Sequence, residues 1–158
     1  GKDTLRLTRT GTTTIDATTP AALAAINGVK NVEVLGFNAT TVTVDANKIT
    51  AVKEYDFVAD TVNLSGAATA NKFTLNKTND NDVDLNLTGK GQSVDLTLKG
   101  KVQTLVLKSE TDTATEKNEI TNLTTDFVGA IDPDPNVDPT PALIINITGG
   151  GELKIASP

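Results

Sequence analysis

Cysteine, histidine, methionine and tryptophan are all missing from this chain of 158 residues. Without cysteine there are no disulfides, no thiol nucleophile and no thiolate-bound zinc. Without histidine the usual general base and the commonest transition-metal ligand are gone. The Ser-His-Asp and Cys-His arrangements are thereby excluded, which leaves carboxylates, Lys, Arg and Tyr55, the one tyrosine, as acid-base groups. Aromatics are scarce, at four Phe and one Tyr, and the 14 Lys and Arg are scattered against 20 Asp and Glu for a net charge of -6. A basic stripe with stacking aromatics is therefore lacking, which argues against a nucleic-acid partner. No run of 18 apolar residues occurs, so membrane insertion is not expected. No basic-then-apolar signal segment opens the chain. It begins on Gly1 rather than Met, and we expect a piece of a longer polypeptide. Few oxidisable side chains suit a life outside the cell.

What the chain has is recurrence. Val62-Asn63-Leu64-Ser65-Gly66, Leu85-Asn86-Leu87-Thr88-Gly89 and Ile145-Asn146-Ile147-Thr148-Gly149 share one phrase, and Leu96-Thr97-Leu98-Lys99-Gly100 is a looser copy. Each alternates apolar and polar side chains and stops at glycine, the pattern of a half-buried strand closed by a tight turn. Recurrence of a structural unit without recurrence of a reactive group points to a scaffold.

Strand patterns run almost throughout: Thr4 to Thr8, Thr12 to Ile15, Val32 to Leu35, Thr41 to Val44, Thr61 to Leu64, Lys72 to Leu75, Val83 to Leu87, Val94 to Leu98, Leu105 to Leu107, Leu143 to Ile147 and Leu153 to Ile155. One short helix interrupts them. Thr19 suits the N-cap, Pro20 the first position, and Gly28 a left-handed C-terminal residue, with Leu23 and Ile26 turned to the core. The chain length fits a single β domain over 1–158. Its fold class is all-β, as a parallel β-solenoid or, alternatively, an antiparallel β-sandwich. The solenoid is favoured because Val83, Leu85 and Leu87 recur in type as Val94, Leu96 and Leu98, 11 residues later. Paired segments of that kind predict rungs of about 22 residues stacked at roughly 4.8 Å. Scarce aromatics agree, since Val, Leu and Ile can fill a narrow solenoid.

The stretch 129–141 reads as an acidic, Pro-rich loop insertion, because its prolines cannot donate to a ladder. Ser109 to Asn118 reads as a solvated loop. The densest oxygen-ligand run is Asn79-Asp80-Asn81-Asp82-Val83-Asp84, in which Asp80, Asp82 and Asp84 have the chemistry calcium prefers. Asp82 and Asp84 also alternate with Val83 and Leu85, as the outer face of a strand would. Six Asn-x-Ser/Thr sites occur, at Asn38, Asn63, Asn76, Asn86, Asn122 and Asn146, and structural asparagines at strand ends explain them better than glycosylation. A carbohydrate-cleaving solenoid would need paired outward acids, for which Asp82, Asp84 and Asp95 are the candidates.

Gly1-Lys2-Asp3-Thr4-Leu5 resembles the second half of the glycine-rich nonapeptide, G-x-D-x-apolar, of calcium-binding repeats-in-toxin proteins. The following Thr-rich strand, the Ala-Ala-Leu helix and Ile26-Asn27-Gly28-Val29-Lys30-Asn31-Val32-Glu33-Val34 resemble bacterial surface-layer (S-layer) proteins and large type I secreted adhesins. The resemblance implies type I secretion, a structural role at the bacterial cell surface, and self-assembly with copies of itself and with neighbouring domains of the same chain. It also implies calcium, with Asp3 at the family's ligating position. An adhesin domain binding host or surface glycans is the alternative. No full G-G-x-G-x-D repeat is present.

Overall fold

A computed structural model describes residues 1–9, 13–77, 82–100, 102, 104–109, 117–125, 144–148 and 153–155. Its elements follow in chain order as β1 (Thr4–Thr8), β2 (Thr14–Asp16), α1 (Pro20–Asn27), β3 (Val34–Asn38), β4 (Thr41–Asp45), β5 (Glu54–Val58) and β6 (Thr61–Ser65). Then come β7 (Lys72–Lys77), β8 (Asp82–Leu87), β9 (Ser93–Gly100), β10 (Thr104–Ser109), β11 (Asn118–Thr125), β12 (Ile144–Thr148) and β13 (Leu153–Ile155). The odd strands form one seven-stranded sheet in the order β1-β3-β5-β7-β9-β11-β13, and the even strands a six-stranded sheet, β12-β10-β8-β6-β4-β2. The pairings are parallel. The chain is thus a parallel β-solenoid with, among the described residues, a single short helix near the N-terminal end, and each turn contributes one strand to each sheet.

The register carries the repeat. In the even sheet Thr41 pairs Thr61, Thr61 pairs Asp84 and Asp82 pairs Thr104, steps of 20, 23 and 22 residues. In the odd sheet Glu54 pairs Lys72 and Lys72 pairs Asp95, steps of 18 and 23. The 11-residue offset is therefore half a rung, and Val83-Leu85-Leu87 faces Val94-Leu96-Leu98 from the opposite sheet across one core. From β10 to β12 the step is 40, Thr104 to Ile144, and the acidic Pro-rich stretch falls within that interval, outside the described residues.

Side chains that alternate inward stack into columns because parallel pairing sets like positions side by side. One column runs Leu5, Leu35, Tyr55, Phe73, Leu96, Leu123 and a second runs Leu7, Phe37, Phe57, Leu75, Leu98. The expectation of an aliphatic core is corrected here. Phe37 stacks on Phe57 with centroids 5.3 Å apart, and Tyr55 on Phe73 at 5.1 Å, with interplanar angles of 7° and 13°. Flat rings suit a ladder, because strand spacing is close to the distance at which offset rings attract.

Two strands escaped the sequence patterns, β5 and β11. In β5 the outward residues Glu54 and Asp56 make the alternation look like a charged loop, although Tyr55 and Phe57 are fully buried. In β11 the register shifts between Ile120 and Asn122, which breaks the period of two. Within α1, Thr19 caps the N-terminus by accepting from the Ala22 amide at 3.3 Å, Pro20 opens the helix, and Ile26 is buried. Gly28 corrects the reading of its end: φ is -77°, right-handed, and its amide donates to the Ala24 carbonyl while the Val29 amide donates to that of Ile26, both at 3.1 Å. Asn27 ties α1 to the next corner, donating to the Lys48 carbonyl at 2.9 Å and accepting from the Thr50 amide at 2.8 Å.

Candidate interaction surfaces

The recurrent phrase builds the outer face of the even sheet. Register aligns Thr14, Thr41 and Thr61 in one column and Asp16, Thr43, Asn63 and Asn86 in the next. Asn86 donates through Nδ2 to Oδ1 of Asn63 at 2.8 Å, and Asn63 donates to the Thr43 hydroxyl at 3.2 Å. The phrase's asparagine is therefore a rung-to-rung tie, half-buried between neighbours. The third copy departs from this column. Ile145-Asn146-Ile147 pairs with Leu105-Val106-Leu107, which pairs with Val83-Asp84-Leu85, so Asn146 sits two positions from the column of Asn86.

The candidate carboxylates are dispersed. Asp82 and Asp84 stand exposed on the outer face of β8, with Asp82 opposite Thr104 and Asp84 between Thr61 and Val106. Asp95 belongs to β9 in the other sheet, so it does not share their face, and the three acids do not form a catalytic cluster. Asp3 precedes β1; its carbonyl accepts from the Glu33 and Val34 amides at 3.1 Å, and its amide donates to the Glu33 carboxylate at 2.8 Å. Asp80 lies outside the described residues. Among the described residues no group of three or more carboxylates is placed to hold a metal ion.

The outer face of the odd sheet is charged and paired. Arg6 crosses over Gly36 of β3 to reach Asp56 of β5 at 2.5 Å, and Lys2 reaches Glu54 at 2.5 Å. Glycine is what leaves room, since a Cβ at Gly36 would lie 3.1 Å from Cζ of Arg6. Further along, Glu54, Asp56, Lys72, Thr74, Thr97 and Lys99 line a shallow polar groove of about 280 Å³.

Sequence reasoning missed a buried amide column at one corner. Gln92 accepts from the Ala67 amide at 3.3 Å and donates to the Thr88 carbonyl at 3.0 Å. Its own amide donates to Oδ1 of Asn118 at 3.1 Å. Nδ2 of Asn118 donates to the Gly89 carbonyl and the Ser109 hydroxyl, both at 3.0 Å. Ser109 and Asn118 are both 0% exposed, so the ends of the stretch read as a solvated loop are core. The available signal was an amide at the start of successive odd strands: Asn71 before β7, Gln92 before β9 and Asn118 opening β11.

Tyr55 contributes the one strongly perturbed group among the described residues. Burial pushes its phenol up to about 12, and the Asp45 charge adds to the shift. The hydroxyl is buried without a hydrogen-bond partner, so it is a core residue rather than a reactive one. Compared with known proteins, the chain matches no family model, no curated protein and no solved structure.

Proposed function

We propose that this chain is a non-catalytic structural module of a bacterial surface layer, working outside the cell through contacts with copies of itself and with adjoining domains. The observation that carries this reading is the unbroken stacking of core columns from rung to rung. Such a rod resists bending because each rung is bonded to its neighbours along both sheets. The outer faces support the same role. Small hydroxyls and amides tie rungs together on one face, and cross-strand ion pairs do so on the other. Absence of cysteine and methionine suits long exposure to oxidants.

Imaging tests the proposal. The purified chain, spread on a supported surface with and without calcium, is expected to give ordered arrays by negative-stain electron microscopy. Dispersed particles under both conditions would sink the assembly reading. Calcium enters through the run ending at Asp84, and a melting temperature unmoved by chelation would remove it from the proposal.

The polar groove beside Lys72 and Lys99 favours a second reading, an adhesin domain for surface glycans. That reading predicts saturable binding of a defined glycan by the isolated chain, weakened when Thr74 and Thr97 are replaced by Val. Cleavage of a polysaccharide that disappears on Asp82→Asn or Asp84→Asn would overturn both readings.

A further inference from the structure

Asn38-Ala39-Thr40 satisfies the Asn-x-Ser/Thr pattern at the bend between the end of β3 and the start of β4. We infer that Asn38 is a modification site, the acceptor of an N-linked sugar delivered as a glycosyl group on a phosphate carrier. The inference rests on what the fold does to the six copies of that pattern and does not need the surface-layer reading.

Two copies are tied into the even sheet at both of their polar side chains. Asn63 donates to the Thr43 hydroxyl at 3.2 Å and accepts from Asn86 at 2.8 Å, and the hydroxyl two residues on, Ser65, donates to the Val44 carbonyl at 3.4 Å. Asn86 is held by that same bond to Asn63, and Thr88 donates to the Leu64 carbonyl at 3.3 Å. Asn122 lies inside β11 and donates to the Asp95 carboxylate at 3.2 Å. Asn76 and Asn146 begin their copies within β7 and β12, and Thr78, which completes the first of these, lies outside the described residues. A segment held in a sheet cannot leave it to enter an enzyme's cleft.

Asn38 differs in each respect. Its register neighbours are Thr8 and Val58, so rungs flank it on both sides, and Val58 offers no polar side chain with which to extend a ladder. Asn38 and Thr40 are both exposed, and neither side chain has a hydrogen-bond partner. Ala39 between them is buried; its amide donates to the Val58 carbonyl, and the Thr40 carbonyl accepts from the Asp60 and Thr61 amides. The backbone of the bend is thereby fixed to the next rung while both polar side chains stand clear of it.

The chemistry needs that freedom. A carboxamide nitrogen is a weak nucleophile because its electron pair is delocalised onto the carbonyl, so it must be turned to the sugar with the neighbouring hydroxyl in reach of the same enzyme. Transfer forms a bond from Nδ2 of Asn38 to the anomeric carbon and breaks the bond from that carbon to the phosphate oxygen. The phosphate leaves with the electron pair, and one Nδ2 proton passes to a base on the transferase. Asn38 can rotate into this geometry, whereas Asn63, bonded through both Nδ2 and Oδ1, cannot.

The test incubates the folded chain with a soluble asparagine glucosyltransferase of Asn-x-Ser/Thr specificity and nucleotide-activated glucose. Peptide mass mapping should find one hexose per chain, on Asn38. Asn38→Gln and Thr40→Val should each cut incorporation by roughly tenfold or more, while Thr40→Ser retains it. Melting temperatures should be unchanged in all three, because neither side chain bonds to the fold. Tryptic peptides 54–72 and 78–90 carry Asn63 and Asn86 released from the ladder, and should accept glucose as peptide 31–48 does at Asn38. No sugar on the folded chain, sugar on Asn63 or Asn86 of the folded chain, or refusal by those two released peptides would each overturn the inference. Array formation in the imaging experiment would be unaffected by such a failure, because it uses the unmodified chain.

Discussion

Two corners of the solenoid do the same job with opposite chemistry. Where β4 turns into β5, residues 46–53 form a loop long enough to fold Ala46, Ile49 and Val52 into the corner, all nearly inaccessible. Where β8 turns into β9, residues 88–92 are too few to do so, and Gln92 and Asn118 fill the space instead. The difference follows from backbone accounting. A short buried turn leaves amides and carbonyls facing the core, and each must find a partner. A longer loop points those groups outward and brings apolar side chains in. The aromatic columns lie beside the apolar corner, in β3, β5 and β7, while the strands flanking the amide corner carry Val, Leu and Ile inward.

The largest effect that can break this contrast comes from the aromatic columns. Phe57→Ala should cost about 4 kcal/mol in urea unfolding, because it removes a ring stacked against Phe37 and leaves a cavity in a fully buried site. Asn118→Ala attacks the other corner. It orphans the Gln92 amide, the Gly89 carbonyl and the Ser109 hydroxyl, at a cost of roughly 3 kcal/mol. If it costs less than 1 kcal/mol, the amide column is not what seals that corner.

Alkaline titration separates the two regions in another way. The Tyr55 phenol has its folded value raised to about 12, above the ordinary value of 10.0. The folded state therefore holds its proton more tightly than the unfolded chain. The associated stability, roughly 2 kcal/mol, is fully present below pH 10 and is lost as pH rises through 10 toward 12. Urea midpoints measured across that window should fall, and Tyr55→Phe should flatten the fall while leaving neutral-pH stability equal or slightly higher, since it deletes a buried hydroxyl with no partner.

The smallest effects compare the glycines that end two copies of the same phrase. Gly66 has φ +65°, and a Cβ there would lie 2.5 Å from Oδ1 of Asp45 and 2.7 Å from Cβ of Asn47. Gly89 has φ +89° with open space around it. Gly66→Ala should cost about 2 kcal/mol and Gly89→Ala about 1 kcal/mol by the same unfolding measurement, the shared part being left-handed strain. Equal costs would mean that crowding at the apolar corner is relieved by a small shift of Asp45.

Much of the fold was legible because it rests on period. Val42, Val44, Val62, Leu64, Val83, Leu85 and Leu87 alternate strictly, and all are buried. The half-rung offset between the Val83 and Val94 sets was visible for the same reason. Less of the interaction surface was legible. The calcium candidates were read from composition, and the structure sets Asp82 and Asp84 on the outer face of β8 while Asp3 precedes β1 in the other sheet. Likewise Asn146 looked equivalent to Asn63 and Asn86, but pairing set it two positions away. A phrase specifies which way its side chains point, not which neighbour it meets.

By itself, the sequence determined the alternation, the turns, the capped helix and the absence of cysteine and histidine chemistry. These depend on residues within a few positions of one another, where dihedral preference and amphipathic period act directly. The tertiary structure alone decided which strands are neighbours, and with that the rings that stack, the amides that meet in a corner and the arginine that crosses Gly36. Those contacts join residues 18 to 50 positions apart, as Tyr55 to Phe73 and Arg6 to Asp56 show. Their geometry is set by the length of each intervening loop, which no local pattern encodes.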